Sequence, residues 1–290
     1  MRRRREPILE GLVPNVNVNG FDLYYADDDF ADPWKPHDAV LMQHFVFGNH
    51  TQFRPWVPTL ARELRVLRLD RRGSGLSAKP GLDYQYNLDD LLSDFAGFLD
   101  ALGIERVHYI GDSLGGVLGA AFAATHPERV KSLVLCATPC WIKPPTRALF
   151  AREGYADGPT AVTAMGSWIY AVAGVLHARP AEATVEAQLR ALYRAEQTAM
   201  TPAHVIASLM RMVTQPDFNI TPLLPKVQAP TLLLSPSKSI HTTPDEQTMM
   251  LQTIPNCRQV LFEDANHGIA FDEPERCAEE ALGFIRKHSA

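Results

Sequence analysis

Cysteine is scarce in this 290-residue sequence: Cys136, Cys140, Cys257 and Cys277 are the four, with no C-x-x-C pair and no Cys/His cluster at zinc-ligand spacing. A structural zinc site is therefore not indicated, no redox role is assigned, and the thiols fit a reducing, cytoplasmic setting. An excess of positive charge is also missing. Lys and Arg number 28 against 33 Asp and Glu, a formal net charge of -5, so nothing draws the chain globally to nucleic acid phosphates. A membrane-spanning run is lacking as well. Residues 158–178 hold no Asp, Glu, Lys or Arg, but Thr160, Thr163, Ser167, His177 and three glycines dilute them, and a buried-face helix is expected instead of a membrane span. The basic run Arg2 to Arg5 is followed by Glu6-Pro7 and a polar stretch where a targeting signal would need an apolar segment, so a disordered basic tail is expected. Internal repeats and low-complexity tracts are absent.

What is present is enough apolar material for a large core, 46% of residues, in a length that fits one α/β domain with an insertion. Residues 15–25 alternate polar and apolar side chains around Asn19-Gly20, the signal of a β-hairpin with a tight turn. Short apolar runs at 39–44, 65–69, 107–110, 130–136, 231–234 and 259–262 alternate with helical or loop segments, which predicts a mostly parallel sheet. Leu88, Leu91, Leu92, Phe95, Phe98 and Leu99 keep the helical period, as do Cys277, Ala281, Leu282 and Ile285. Thr243-Pro244-Asp245-Glu246 has the form of a capping box with Pro at the first helical position. Between Trp141 and Leu223 the alternation stops and helical patterns rich in Ala, Met and aromatics take over. The expected organisation is a core of residues 1–140 and 224–290 with a helical cap at 141–223.

The segment richest in chemistry is Gly111-Asp112-Ser113-Leu114-Gly115, which follows the apolar run 106–110 and precedes the small-residue stretch 116–121. This is G-x-S-x-G in a strand-turn-helix setting, where the serine sits on a sharp turn and the glycines avoid crowding of strand against helix. Ser113 is accordingly the candidate nucleophile.

With the elbow, four further stretches give the chain a resemblance to the α/β-hydrolase superfamily, covering nearly everything from Asn15 to His288. They are Gln43-His44-Phe45, Asp70-Arg71-Arg72-Gly73-Ser74-Gly75-Leu76-Ser77, Ala229-Pro230-Thr231-Leu232-Leu233-Leu234 and Asp264-Ala265-Asn266-His267-Gly268. The resemblance implies an α/β-hydrolase fold, a mostly parallel twisted sheet flanked by helices with an inserted helical cap. It also implies His267 as the base that takes the Ser113 proton, in the order Ser then His. The oxyanion would be met by the backbone N–H of Leu114 and by one from the loop after His44, at Val46 or Phe45, although Phe45 stands where glycine is common. His44 is expected to order that loop; His241 has no supporting pattern.

The resemblance also places an acid after the strand 231–234, and that position falls on Ser239. The alternative position at the end of the strand 130–136 offers no carboxylate either. Three explanations stay open: Ser239 orients His267 in a weak dyad, a displaced carboxylate does so, or hydrolytic power is lost and a binding pocket kept. The Ser239 dyad is placed first and Asp264, three residues before His267, next; Asp245 and Glu246 already have a reason to exist as first-turn acids of a helix.

A cap rich in Trp, Tyr, Phe and Met, with Trp141, Trp168 and Tyr193 as candidate pocket residues, suits an uncharged apolar ester or lactone. The expectation is therefore a carboxylesterase or lactonase working through an acyl-enzyme, with no cofactor and no metal. Its partner would be a small-molecule apolar ester or lactone, not nucleic acid or membrane. A carbon-carbon bond or thioester hydrolase of the same fold, and a small-ligand receptor with little turnover, remain alternatives. A homodimer is compatible with the sequence, since an exposed apolar cap helix and a dimer contact look alike.

Overall fold

The sheet has eight strands in the order β1-β2-β4-β3-β5-β6-β7-β8, in a computed structural model that describes residues 14–177 and 184–289. The basic run at Arg2 to Arg5 lies outside the described residues. β1 (Asn15–Val18) and β2 (Phe21–Asp28) form the expected antiparallel hairpin. Asn19 and Gly20 make its turn at φ 51° and 82°, left-handed values that these two residue types tolerate best. β2 runs antiparallel to β4 (Arg65–Leu69), and every later pairing is parallel. Those pairings join β3 (Ala39–Gln43), β5 (Val107–Asp112), β6 (Val130–Cys136), β7 (Thr231–Pro236) and β8 (Cys257–Phe262).

Both faces of the central strands are buried, which is why they read as continuous apolar runs. Along β3, Val40 and Met42 enter one core with Phe53 and Trp56, whereas Leu41 enters the other with Phe95, Tyr109 and Phe122. The second core is closed by α2 (Leu88–Ala101) and α3 (Leu114–Thr125). α2 begins where the Asn87 side chain accepts the N–H of Asp90, with Asp89 and Asp90 favourably placed in the first turn. The first core is covered by α1 (Val57–Leu60) and, at the far end of the chain, α9 (Ile269–Asp272) and α10 (Pro274–Ile285).

Between β6 and β7 the chain leaves the sheet, and the described residues there form the helices α4 (Pro144–Ala151), α5 (Gly158–His177), α6 (Val185–Ala199) and α7 (Ala203–Val213). The stretch expected as one apolar helix is instead kinked: Gly166 sits inside α5 at φ 74°, a value that ends one helical segment and starts another. Phe47 from the loop after β3 packs with Val162, Tyr170, Ile206 and Met210, and so joins the inserted helices to the sheet. Further ties are the Asn49 amide, which donates to the Gln197 carbonyl, and the Tyr193 hydroxyl, which donates to that of Thr51. α8 (Pro244–Thr253) follows β7 and is capped by Thr243, whose hydroxyl accepts the N–H of Glu246. Among the described residues no helix is long and apolar enough to cross a membrane.

Candidate active site

Ser113 lies between β5 and α3 at φ 52° and ψ -113°, a strained conformation for a residue with a side chain. Its N–H donates to the Cys136 carbonyl at 2.9 Å, and its own carbonyl accepts the N–H groups of Gly116 at 2.9 Å and Val117 at 3.0 Å. The glycines are required by close approach: a Cβ at Gly111 would lie 2.3 Å from the Gly115 carbonyl oxygen, and one at Gly115 would lie 2.1 Å from that of Gln43.

His267, in the loop between β8 and α9, places Nε2 3.0 Å from Ser113 Oγ. Its Nδ1 lies 3.2 Å from the hydroxyl oxygen of Ser239, in the loop after β7. Ser239 is buried, and its oxygen also accepts the backbone N–H groups of His241 at 3.2 Å and Thr242 at 3.0 Å. Desolvation, reinforced by the nearby His241, Arg194 and Lys143, holds the His267 pKa well below the ordinary histidine range. The imidazole is therefore neutral at physiological pH.

Asp264 is not brought to His267. It sits at φ 60° with its side chain in solvent, 2.7 Å from the Lys238 ammonium, whose hydrogen bond lowers its pKa. Three residues of loop suffice to turn its carboxylate away from the ring. Replacing it by Asn is expected to leave kcat within about twofold, because an exposed ion pair contributes little; a steep loss in a steady-state assay would contradict this placement. Glu246 is equally remote in function. Its carboxylate accepts the N–H of Cys140 at 2.9 Å and pairs with Lys143, fixing the start of the inserted helices.

The loop after β3 is held by a buried arginine from the Asp70–Ser77 turn. Arg71 donates to the carbonyls of His44 at 2.6 Å and Phe45 at 2.7 Å, and burial lowers its pKa to about 10. Of the two amides expected for the oxyanion, that of Phe45 is already engaged by the Gln52 side chain at 2.9 Å. Val46 remains; it lines the same cavity as Leu114, which holds the first position of α3, where backbone amides have no intrahelical acceptor. His44 is buried, with Nδ1 2.9 Å from the Phe45 carbonyl, and desolvation keeps its pKa well below the usual value.

Gln52 also donates to Asp112, at 2.7 Å, and this buried carboxyl is pushed up to about 7 by desolvation. In the unfolded chain Asp112 ionises near pH 4, so from there to about 7 the fold binds more protons, and its stability falls as pH rises. Asp112→Asn is expected to stabilise the protein by roughly 2–4 kcal/mol at pH 8 and hardly at all at pH 4.5. Urea unfolding at the two pH values checks this; an equal effect at both would contradict it.

Above Ser113 lies a cavity of about 170 Å³. Phe45, Phe47, Trp141, Ile142, Phe150 and Phe218 supply most of its wall, and Ser113, Leu114, His241 and His267 meet in it. Among the described residues no Lys, Arg, Asp or Glu lines it. Of the expected pocket residues, Trp141 is in place. Trp168 instead lies 48% exposed on α5, and Tyr193 is spent bracing α6 to the core through Thr51. His241 was not expected: its ring centroid is 4.6 Å from that of His267, and its Nδ1 is 2.7 Å from the Thr146 hydroxyl. Its only sequence signal is its position two residues after Ser239.

Residues 38–164 match the family model described as alpha/beta hydrolase fold. The chain is 34% identical over 154 residues to a 2-hydroxymuconate semialdehyde hydrolase from Pseudomonas sp. (strain CF600), a match spanning 52% of this chain and 49% of that protein. It is 25% identical over 250 residues to 3-oxoadipate enol-lactonase 1 from Acinetobacter baylyi, covering 86% of this chain and 88% of the other. Among solved structures, the enol-lactonase from Burkholderia xenovorans LB400 superposes with a TM-score of 0.79 at 25% identity, over 94% of this chain and 100% of that one. Fold, elbow and comparisons agree: the chain has the α/β-hydrolase fold.

Proposed function

We propose that the chain hydrolyses a carboxylic ester or lactone of a small, uncharged, apolar substrate through an acyl-enzyme on Ser113. The observation that carries this reading is the 3.0 Å contact between Ser113 Oγ and His267 Nε2 at the floor of an apolar cavity. Attack by Oγ on the carbonyl carbon passes the serine proton to Nε2, and the oxyanion is met by the N–H groups of Leu114 and Val46. His267 then protonates the departing alkoxide. Water, deprotonated by the same nitrogen, attacks the acyl-enzyme and releases the acid and free Ser113.

A wall without lysine or arginine favours substrates that carry no carboxylate or phosphate, since an anion buried there would have no partner. The enol-lactonase relatives support the ester or lactone class. A cytoplasmic setting belongs to the same reading, supported by four cysteines that are all unpaired.

Carbon-carbon bond hydrolysis is a second reading, favoured by the 34% identical stretch shared with the 2-hydroxymuconate semialdehyde hydrolase. A panel of short p-nitrophenyl esters, lactones and a vinylogous diketone, run beside His267→Ala, separates the two. Ester or lactone turnover lost in the variant supports the first; turnover of the diketone alone supports the second.

A further inference from the structure

Ser239 stands at the acid position but cannot do what a carboxylate does there. A carboxylate only accepts, so it holds the imidazole with its proton on Nδ1 and leaves the Nε2 lone pair facing the nucleophile. A hydroxyl has two lone pairs and one proton. Both lone pairs of Ser239 are taken by the N–H groups of His241 and Thr242, and the third contact of the oxygen among the described residues is His267 Nδ1. Were Nδ1 protonated as well, three donors would converge on one buried oxygen and its own proton would have no acceptor. That arrangement leaves a buried polar hydrogen unmet, which is unfavourable.

We infer that Ser239 donates its hydroxyl proton to Nδ1 and thereby holds resting His267 as the Nε2–H tautomer, which donates to Ser113 Oγ instead of accepting from it. The tautomer follows from hydrogen-bond geometry alone; its consequence for rate rests on the hydrolase reading proposed above. Before each attack the ring must exchange its proton between nitrogens through solvent and the Ser239 hydroxyl must turn away. Ser239 is thus a positioning residue that restrains the serine. An Asp at the same place would keep both backbone N–H bonds and accept from Nδ1–H. The other groups around the ring do not replace that acceptor: Arg194 and Lys143 are cations that disfavour the imidazolium formed during attack, and His241 has its Nδ1 engaged by the Thr146 hydroxyl.

The test is 15N NMR of histidine-labelled full-length protein, with the His267 signals assigned by their loss in His267→Gln. Wild type is expected to show a pyridine-type nitrogen at Nδ1 and a pyrrole-type nitrogen at Nε2. Ser239→Asp is expected to reverse the pair and to raise kcat on a p-nitrophenyl ester about 10²-fold, since the wrong tautomer in triad enzymes costs about 10⁴. Ser239→Ala, which releases the restraint without supplying an acceptor, should raise kcat, though less than Ser239→Asp, whereas an orienting hydroxyl would make it fall. A pyrrole-type Nδ1 in wild type overturns the inference even if Ser239→Asp does not fold. The expected tautomers in proteins that turn over no ester would uphold it while removing the hydrolase reading.

Discussion

Ser113→Ala is expected to lower kcat on a small uncharged ester about 10²-fold in the wild-type background, not the 10⁶-fold seen where a complete triad is broken. Groups that act as a unit are not additive. An enzyme lacking its acid has already lost about 10⁴ to 10⁵, so the nucleophile has only the remainder to lose. The rate left after Ser113 is removed would reflect the cavity and the proposed oxyanion donors Leu114 and Val46. In the Ser239→Asp background the same substitution should cost about 10⁴-fold or more, because nucleophile and oriented base then act together. Steady-state kinetics on the four proteins of this cycle measures the coupling; equal losses in both backgrounds would mean that Ser239 and Ser113 do not act through one histidine.

Asp94→Ala is expected to destabilise the fold by about 3–5 kcal/mol. Arg72 donates to Asp94 through Nε at 2.6 Å and Nη2 at 2.5 Å, both side chains being nearly fully buried, and a third donor reaches the Tyr84 hydroxyl. Removal of Asp94 strands a buried guanidinium, which cannot shed its proton. The pair also ties the loop carrying Arg71 to α2, and through Arg71 it steadies the carbonyls of His44 and Phe45. Tm should fall by on the order of 10 °C. Replacing Arg72 by Met together with Asp94 by Leu should recover most of that loss, because a packed apolar pair avoids the desolvation of two charges. Failure of the double variant to recover would place the stabilisation in the Tyr84 and Asn19 contacts instead.

The sheet was legible in the sequence because both of its faces are buried, so each central strand is an uninterrupted apolar run bounded by turns. The Asn19-Gly20 hairpin and the elbow at Ser113 were legible for a related reason: each needs backbone angles that few residues tolerate. Which way a helix faces was not legible in the inserted segment. Composition there could not separate Trp141, on the cavity, from Trp168, on the outer surface, or reveal that Tyr193 spends its hydroxyl on the core. The roles of Arg71 and His241 were not legible because they depend on loops that meet only in the fold. Asp264 was close to His267 in sequence, yet a left-handed backbone at its own position sends the side chain to Lys238.

The most direct measurement is the mass of the protein caught during turnover. Incubated with a p-nitrophenyl ester and quenched in acid, the wild type should gain one acyl group on the peptide containing Ser113. The adduct should accumulate, because p-nitrophenolate departs without a proton whereas the serine oxygen that departs in deacylation needs one from His267, and Ser113→Ala should gain nothing. Ester turnover with no adduct on Ser113, or with the acyl group on another residue, would contradict a nucleophilic serine at this site.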